Sequence, residues 1–309
     1  MKGVATLGEA APTAKFDMTK GGRTGGVETP SLLNILLRKS LRGVATSWIS
    51  KGWGFKFDDD QCLTHMIWAD NLFILAAGPQ QLRDMLADVT SAVHLVGMEW
   101  KRKSLEIMGG RSCCEIIDGI MMTHPAGLFP YEFKPVDQMT VLGVLLDSQG
   151  RSSTTMEHRQ GAATRSYYSY QHFWKARNLS DGEKAELFYS GPGASLLFGA
   201  GGLTVNADLL MDIRRWENDK LRKVWRLGRA QQELRSGYMK RTDKLITARL
   251  QKLGRERLHV ALLRRVHRWA SKALRQPMPS GKPSVLARLY GCRRDGQWRR
   301  DFRSNKNID

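Results

Sequence analysis

From residue 151 to its end the chain carries 34 Lys and Arg against 14 Asp and Glu, a net of +20, whereas residues 1–150 carry 15 against 16. A compact second half must therefore keep many cations at its surface, which amphipathic helices do most simply. Within Asp208 to Arg229, Leu209, Ile213, Trp216, Val224 and Leu227 share a helical face, broken only by Lys220. Between Glu256 and Arg275, Leu258, Leu262, Val266, Trp269 and Ala273 form a stripe, with Arg257, Arg264, Arg268, Lys272 and Arg275 on a neighbouring face. The spacing predicts basic helices with Trp216 and Trp269 in the core. A surplus of this size favours a polyanionic partner.

The first half is patterned differently. Ala14 to Thr19 reads as a short strand, and Gly21 to Gly26 as a glycine-rich turn. Thr29 is the expected N-cap of a helix that has Pro30 in its first turn and Leu32, Leu33, Leu36, Leu37 and Leu41 on one side, running to about Ser47. Residues 63–76 are two apolar runs separated by Asp70-Asn71, which predicts a β-hairpin with Asp70 at its tip. Pro79 opens a second helix bearing Leu82, Met85, Leu86, Val89, Val93 and Val96, closed by Gly97. Strands are expected around Met98, Glu115 and Thr140 to Leu146, with a turn at Asp147 to Gly150.

Several sites of other kinds are disfavoured. Cys62, Cys113, Cys114 and Cys292 lack zinc-ligand spacing and read as reduced thiols. Gly191 to Gly193 and Gly199 to Gly202 lack the lysine and hydroxyl ending of a phosphate loop and read as flexible connections. The run Asp58, Asp59, Asp60 reads as a solvated turn, and His65 as a strand histidine. No stretch approaches the ~20 apolar residues that span a bilayer. The first 30 residues lack a signal-peptide core, so a nuclear or cytoplasmic home is expected.

Four segments, in order, resemble the reverse-transcriptase domain of LINE-type (non-LTR) retrotransposons, over roughly residues 14–275. GGRTGGVETPSLLN, Gly21 to Asn34, is similar to the family's glycine loop and helix, with Arg23 and Gly25 keeping the pattern and Thr24 replacing Gln. IWADNLFIL, Ile67 to Leu75, resembles the [FY]ADD hairpin, with Asp70 at the first Asp and Asn71 at the second. VGMEWKRKSLEIM, Val96 to Met108, is similar to the stretch that carries a lysine, here Lys103. VLGVLLDSQG, Val141 to Gly150, resembles the LG-containing hairpin.

The resemblance implies an α+β fold: a leader (1–13), a partial polymerase palm built as an antiparallel sheet with packed helices (14–150), a basic helical thumb (151–276) and a basic tail (277–309). It implies nucleotidyl transfer to a primer 3′-hydroxyl, with Asp70 as Mg²⁺ ligand, Asn71 beside it and Lys103 as general acid. Arg23 and Gly25 would lie near template and nucleotide. Arg214, Arg215, Arg222, Lys223, Arg226, Arg264 and Arg268, with Lys220 and Arg229 near them, would hold an RNA template and RNA/DNA hybrid, with deoxynucleotides as substrates. The family's first catalytic Asp lies well upstream of the glycine loop, and no residue before Gly21 matches it, Asp17 belonging to the strand beside the loop. The chain as given is therefore expected to be inactive or weak as a polymerase. The alternative is a non-catalytic nucleic-acid-binding remnant.

Overall fold

The computed structural model describes residues 2–5, 14–17, 28–58, 61–109 and 119–275. The fold is mixed α and β, and the chain divides into two compact units, Met1–Leu105 with Gly119–Phe133 and Glu106–Asp118 with Lys134–Asp309. The expected single antiparallel palm sheet is not what the strands form among the described residues. They are two to five residues long, and most close on a neighbour in small antiparallel sheets.

The first unit opens with β1 (Lys2–Ala5) antiparallel to β2 (Ala14–Asp17). Helix α1 (Thr29–Ser50) has proline in its first turn and ends at Gly52, whose φ of +65° a glycine adopts without strain. Thr29 does not cap it: Glu28 already has helical angles, so Thr29 is the first helical residue. Only the later part of the predicted stripe is buried, through Leu37, Leu41 and Trp48, while Leu32, Ile35 and Leu36 stay exposed. Strands β3 (Phe55–Asp58) and β4 (Gln61–Leu63) pair beside Gly54, where a Cβ would come within 2.8 Å of the Leu63 carbonyl oxygen.

A second hairpin, β5 (His65–Trp68) and β6 (Asn71–Ile74), leads to α2 (Pro79–Leu95). Met85, Val89, Ala92 and Val93 of α2 meet Leu41 and Trp48 of α1, with Ile67, Leu72 and Ile74 packed alongside. Burial of Leu41, Met85, Val89 and Val93 contributes about 1.5–3 kcal/mol each. The Trp48 indole N–H donates to Asp88 Oδ2 at 2.9 Å, so the ring is buried without stranding its donor. Gln81 Oε1 accepts from the amides of Gly54 (3.0 Å) and Ala77 (2.8 Å), tying the start of α2 to the loops beside it. Met98, expected in a strand, packs as irregular chain on this core, and Glu115 lies outside the described residues.

Strand β7 (Glu106–Ile107) precedes β8 (Ile120–Met122) and β9 (Tyr131–Pro135). The start of β9 is antiparallel to β8, and Lys134–Pro135 runs parallel to β7. His124 is buried with its ring 5.2 Å from those of His94, Phe129 and Tyr131. Its Nδ1 accepts the Ala126 amide at 3.0 Å, which leaves the proton on Nε2.

In the second unit β10 (Gln138–Val141) and β11 (Val144–Asp147) form a hairpin whose turn residues, Leu142 and Gly143, both have positive φ. Asp147 then closes the start of α3 (Ser152–Ser169). It accepts from the Gln149 amide (2.7 Å), the Thr154 hydroxyl (3.0 Å) and the Arg151 guanidinium (2.8 Å). The Arg151 bond, with help from the other donors, holds the Asp147 carboxyl down at about 2. Because the folded value lies below the ordinary 3.8, this contribution to stability is complete above about pH 4 and is lost as pH falls toward 2. Urea midpoints followed from pH 5 to pH 2 should fall less steeply in Asp147→Asn; an unchanged slope would remove Asp147 from the acid transition.

Helices α4 (Gln171–Lys175) and α5 (Asp181–Phe188) follow, the latter opened by a capping box between Ser180 and Glu183. A π-helical turn at Tyr189–Gly193 joins α5 to α6 (Ala194–Leu196). The glycines here are not flexible connections. A Cβ on Gly191 would lie 2.9 Å from the Tyr170 ring, and one on Gly199 would lie 2.3 Å from Val144, so each permits close packing. Helices α7 (Ala207–Val224), α8 (Arg235–Lys252) and α9 (Leu258–Leu274) complete the unit. Phe188, Leu196, Ile213, Leu221, Ile246 and Leu262 are the centre of its core. Trp216 packs against that core, stacked on Phe188, and donates to Thr164 Oγ1 at 3.0 Å, as its place on the stripe predicts. Trp269 is 36% exposed and stands at the margin.

Candidate nucleic-acid interface

The hairpin that carries Asp70 turns through Ala69 and Asp70, with Trp68 paired to Asn71. Asn71 is thus the first residue of β6 and not part of the turn, one position from where the sequence placed it. Ala69 takes the left-handed conformation at φ +51°, a local strain of about 1–2 kcal/mol next to Asp70. Asp70 is exposed, and Asn71 Nδ2 donates to its Oδ1 at 3.3 Å. Lys103 is exposed on a 3₁₀ turn, Arg102–Ser104, of the same unit. Arg23, Gly25 and the acidic pair Asp59 and Asp60 lie outside the described residues. His65 is satisfied by Thr64 Oγ1 at 2.9 Å, and burial lowers its basicity.

Two-metal nucleotidyl transfer requires carboxylates that bridge a pair of hard cations. Asp70 is a lone carboxylate with a neutral amide beside it, and no group of three or more His, Cys, Asp or Glu converges among the described residues. These residues do not fit a Mg²⁺ pair. Of the cysteines, Cys62 is a free thiol and the others lie outside the described residues.

The cations of the helical unit sort into two groups. Lys220, which interrupts the apolar face of α7, is buried, and Arg257, expected on a basic face, is largely covered. The Lys220 ammonium reaches Asp219 at 3.2 Å and lies 5.4 Å from the centre of the Tyr167 ring, which lets a lysine interrupt the apolar face of α7. Arg257 Nε pairs with Glu217 Oε2 at 2.9 Å, and its Nη2 donates to Asn218 Oδ1 at 2.6 Å. Glu217 Oε1 accepts from the Tyr189 hydroxyl (2.6 Å) and the Leu258 amide (3.0 Å). Glu217 is fully buried and its carboxyl is pushed up by burial, which Arg257 opposes. Nothing in the helical spacing marks this network, because its members come from separate elements.

The second group is at the surface. Arg214 pairs with Asp243 (2.6 Å), Arg215 with Asp212 (2.9 Å), Lys223 with Asp219 (3.1 Å) and Arg264 with Glu256 (2.8 Å). Arg226 instead donates to the Lys175 carbonyl and Arg229 to the Glu233 carbonyl, and neither is bonded to a carboxylate among the described residues. Arg222 donates to Thr242 Oγ1 at 2.7 Å. Arg235 and Arg268 are exposed and make no ion pair among the described residues.

Arg222, Lys223, Arg226, Arg229 and Arg235 come together around an open cleft of about 520 Å³ where α7 runs through its loop into α8. Of these Arg235, with Tyr238 in the same wall, escapes the sequence pattern: the basic run is legible from Arg222 to Arg229, but concavity arises only when α8 folds back. No family model and no curated protein matches the chain.

Proposed function

We propose that this chain is a palm-and-thumb segment of a LINE-type reverse transcriptase whose helical unit holds RNA template and RNA/DNA hybrid, with deoxynucleotide transfer weak or absent in the chain as given. One observation carries the binding part. Arg226, Arg229, Arg235 and Arg268 are exposed cations without a bonded carboxylate among the described residues, set among others whose exposed ion pairs are worth at most about 1 kcal/mol each. Phosphate oxygens can displace such carboxylates at small cost, so the surface is ready for a polyanion.

The reverse-transcriptase part rests on the order and spacing of the four sequence segments, and the exposed position of Asp70 at a hairpin turn is compatible with it. Among the described residues no helix is long and apolar enough to cross a membrane. A nuclear or cytoplasmic location is proposed with the partner.

The test is primer extension on an RNA template with Mg²⁺ and four deoxynucleotides, beside binding of the same hybrid by fluorescence anisotropy. Tight hybrid binding is expected with extension at background, equal in the wild type and in Asp70→Ala. Extension that Asp70→Ala abolishes would show a working polymerase. Failure to bind hybrid at low salt would sink the proposal.

A further inference from the structure

The cleft between α7 and α8 is more organised than a basic surface needs to be. Its wall brings together Arg222, Lys223, Arg226, Arg229 and Arg235, while Asp219, the acidic group in that wall, is already met by Lys220 at 3.2 Å and Lys223 at 3.1 Å. Tyr238 is fixed beside them, its hydroxyl donating to the Leu227 carbonyl at 2.8 Å. The carbonyls of Leu221, Arg222 and Lys223 near the end of α7 accept from the amides of Trp225, Leu227 and Arg226. Arg235 and Tyr238 from the first turn of α8 line the same cleft, and that helix has no side-chain cap at Leu234.

We infer that this cleft is a phosphate-ester site that seats the sugar–phosphate backbone of one nucleic-acid strand. The source of the phosphate rests on the function proposed above; the chemistry of the site does not. Several arginines lining one cavity supply guanidinium donors that match the tetrahedral oxygens of a phosphate, which accepts from more donors than a carboxylate does. A cleft of about 520 Å³ falls within the ~300–1,000 Å³ of ligand-sized pockets and has room for a nucleotide unit but not for a duplex. A strand thus enters by its backbone, and the contact is independent of base sequence.

The experiment uses the full chain and a labelled RNA/DNA hybrid. Arg229→Gln with Arg235→Gln is compared with Arg38→Gln plus Lys39→Gln, exposed cations of α1 that remove the same charge. Thermal unfolding checks that each variant is folded, and Arg235→Gln alone serves as a milder variant, since that side chain makes no ion pair among the described residues. The cleft double is expected to bind about tenfold or more weakly at moderate salt, with a log–log salt slope shallower by about 2. The α1 double should stay within about twofold of wild type. Equal losses in both doubles, no loss in the cleft double, or displacement of hybrid by polyglutamate as readily as by unlabelled hybrid would each overturn the inference.

If the wild type bound no hybrid, the proposed function would fall, and titration with dATP would still read the cleft. Binding of dATP that the cleft double loses would retain the phosphate-ester site with a free nucleotide as its source. Absence of dATP binding in that case would overturn the site as well.

Discussion

Arg257→Leu should cost the helical unit about 3–5 kcal/mol at neutral pH, the largest single-residue effect expected in the chain. The magnitude follows from what the substitution leaves behind. Glu217 is fully buried, and Arg257 is the cation paired with its carboxylate. The Tyr189 hydroxyl and Leu258 amide would still donate to Oε1, but they carry no charge, so the buried carboxylate would stand uncompensated.

The pH dependence has a definite sign. Burial already moves the Glu217 carboxyl above its ordinary 4.5, and removing Arg257 moves it further. A carboxyl whose folded value is raised binds more protons folded than unfolded, so its stability contribution falls as pH rises from the unfolded toward the folded value. The deficit of Arg257→Leu should therefore be smaller at pH 5 than at pH 8 in urea unfolding. The double substitution with Glu217→Gln should recover most of the loss at pH 8. A deficit under about 1 kcal/mol at pH 8 would mean that Glu217 is not held as a buried charge.

That network also marks where the sequence stops being informative. The stripe on α7 is legible from Leu209, Ile213 and Val224, and the structure buries all three. Periodicity shows that Lys220 and Arg257 sit next to apolar residues, but a charge on such a face can be solvated or paired in the core. The partner that decides between them is Glu217 for Arg257, from another helix, and the tyrosine rings of α3 for Lys220.

The Asp70 hairpin was readable from its two apolar runs. Its turn lies one residue earlier than Asp70-Asn71 suggests, because Ala69 accepts a left-handed φ that composition gives no reason to assign to alanine. On α1 the leucine stripe predicts burial along its length, yet the end near Leu32 and Ile35 is exposed, since spacing specifies a face but not how far a neighbour covers it. Gly191 and Gly199 look like punctuation in the sequence. Their role depends on Tyr170 and Val144, residues distant along the chain.

Hybrid binding should weaken by about 10²-fold to about 10⁴-fold when monovalent salt rises from about 50 to about 200 mM, on a slope set by the number of phosphates neutralised. Arg226, Arg229, Arg235 and Arg268 have no bonded carboxylate among the described residues and set the lower figure. Arg215, Lys223 and Arg264 raise it if phosphate displaces Asp212, Asp219 and Glu256, an exchange between exposed pairs that costs little. Each contact contributes about 0.9 to the log–log slope, so a slope of about 3.6 would identify the four arginines as the grip, and one of about 6.3 would show that the surface pairs open as well. Asp70→Ala should leave the slope unchanged, because its unit contributes none of the cations counted. A slope of about 1 or less would mean that the hybrid is not held by its backbone, and the basic helices would then have to be explained without a nucleic acid.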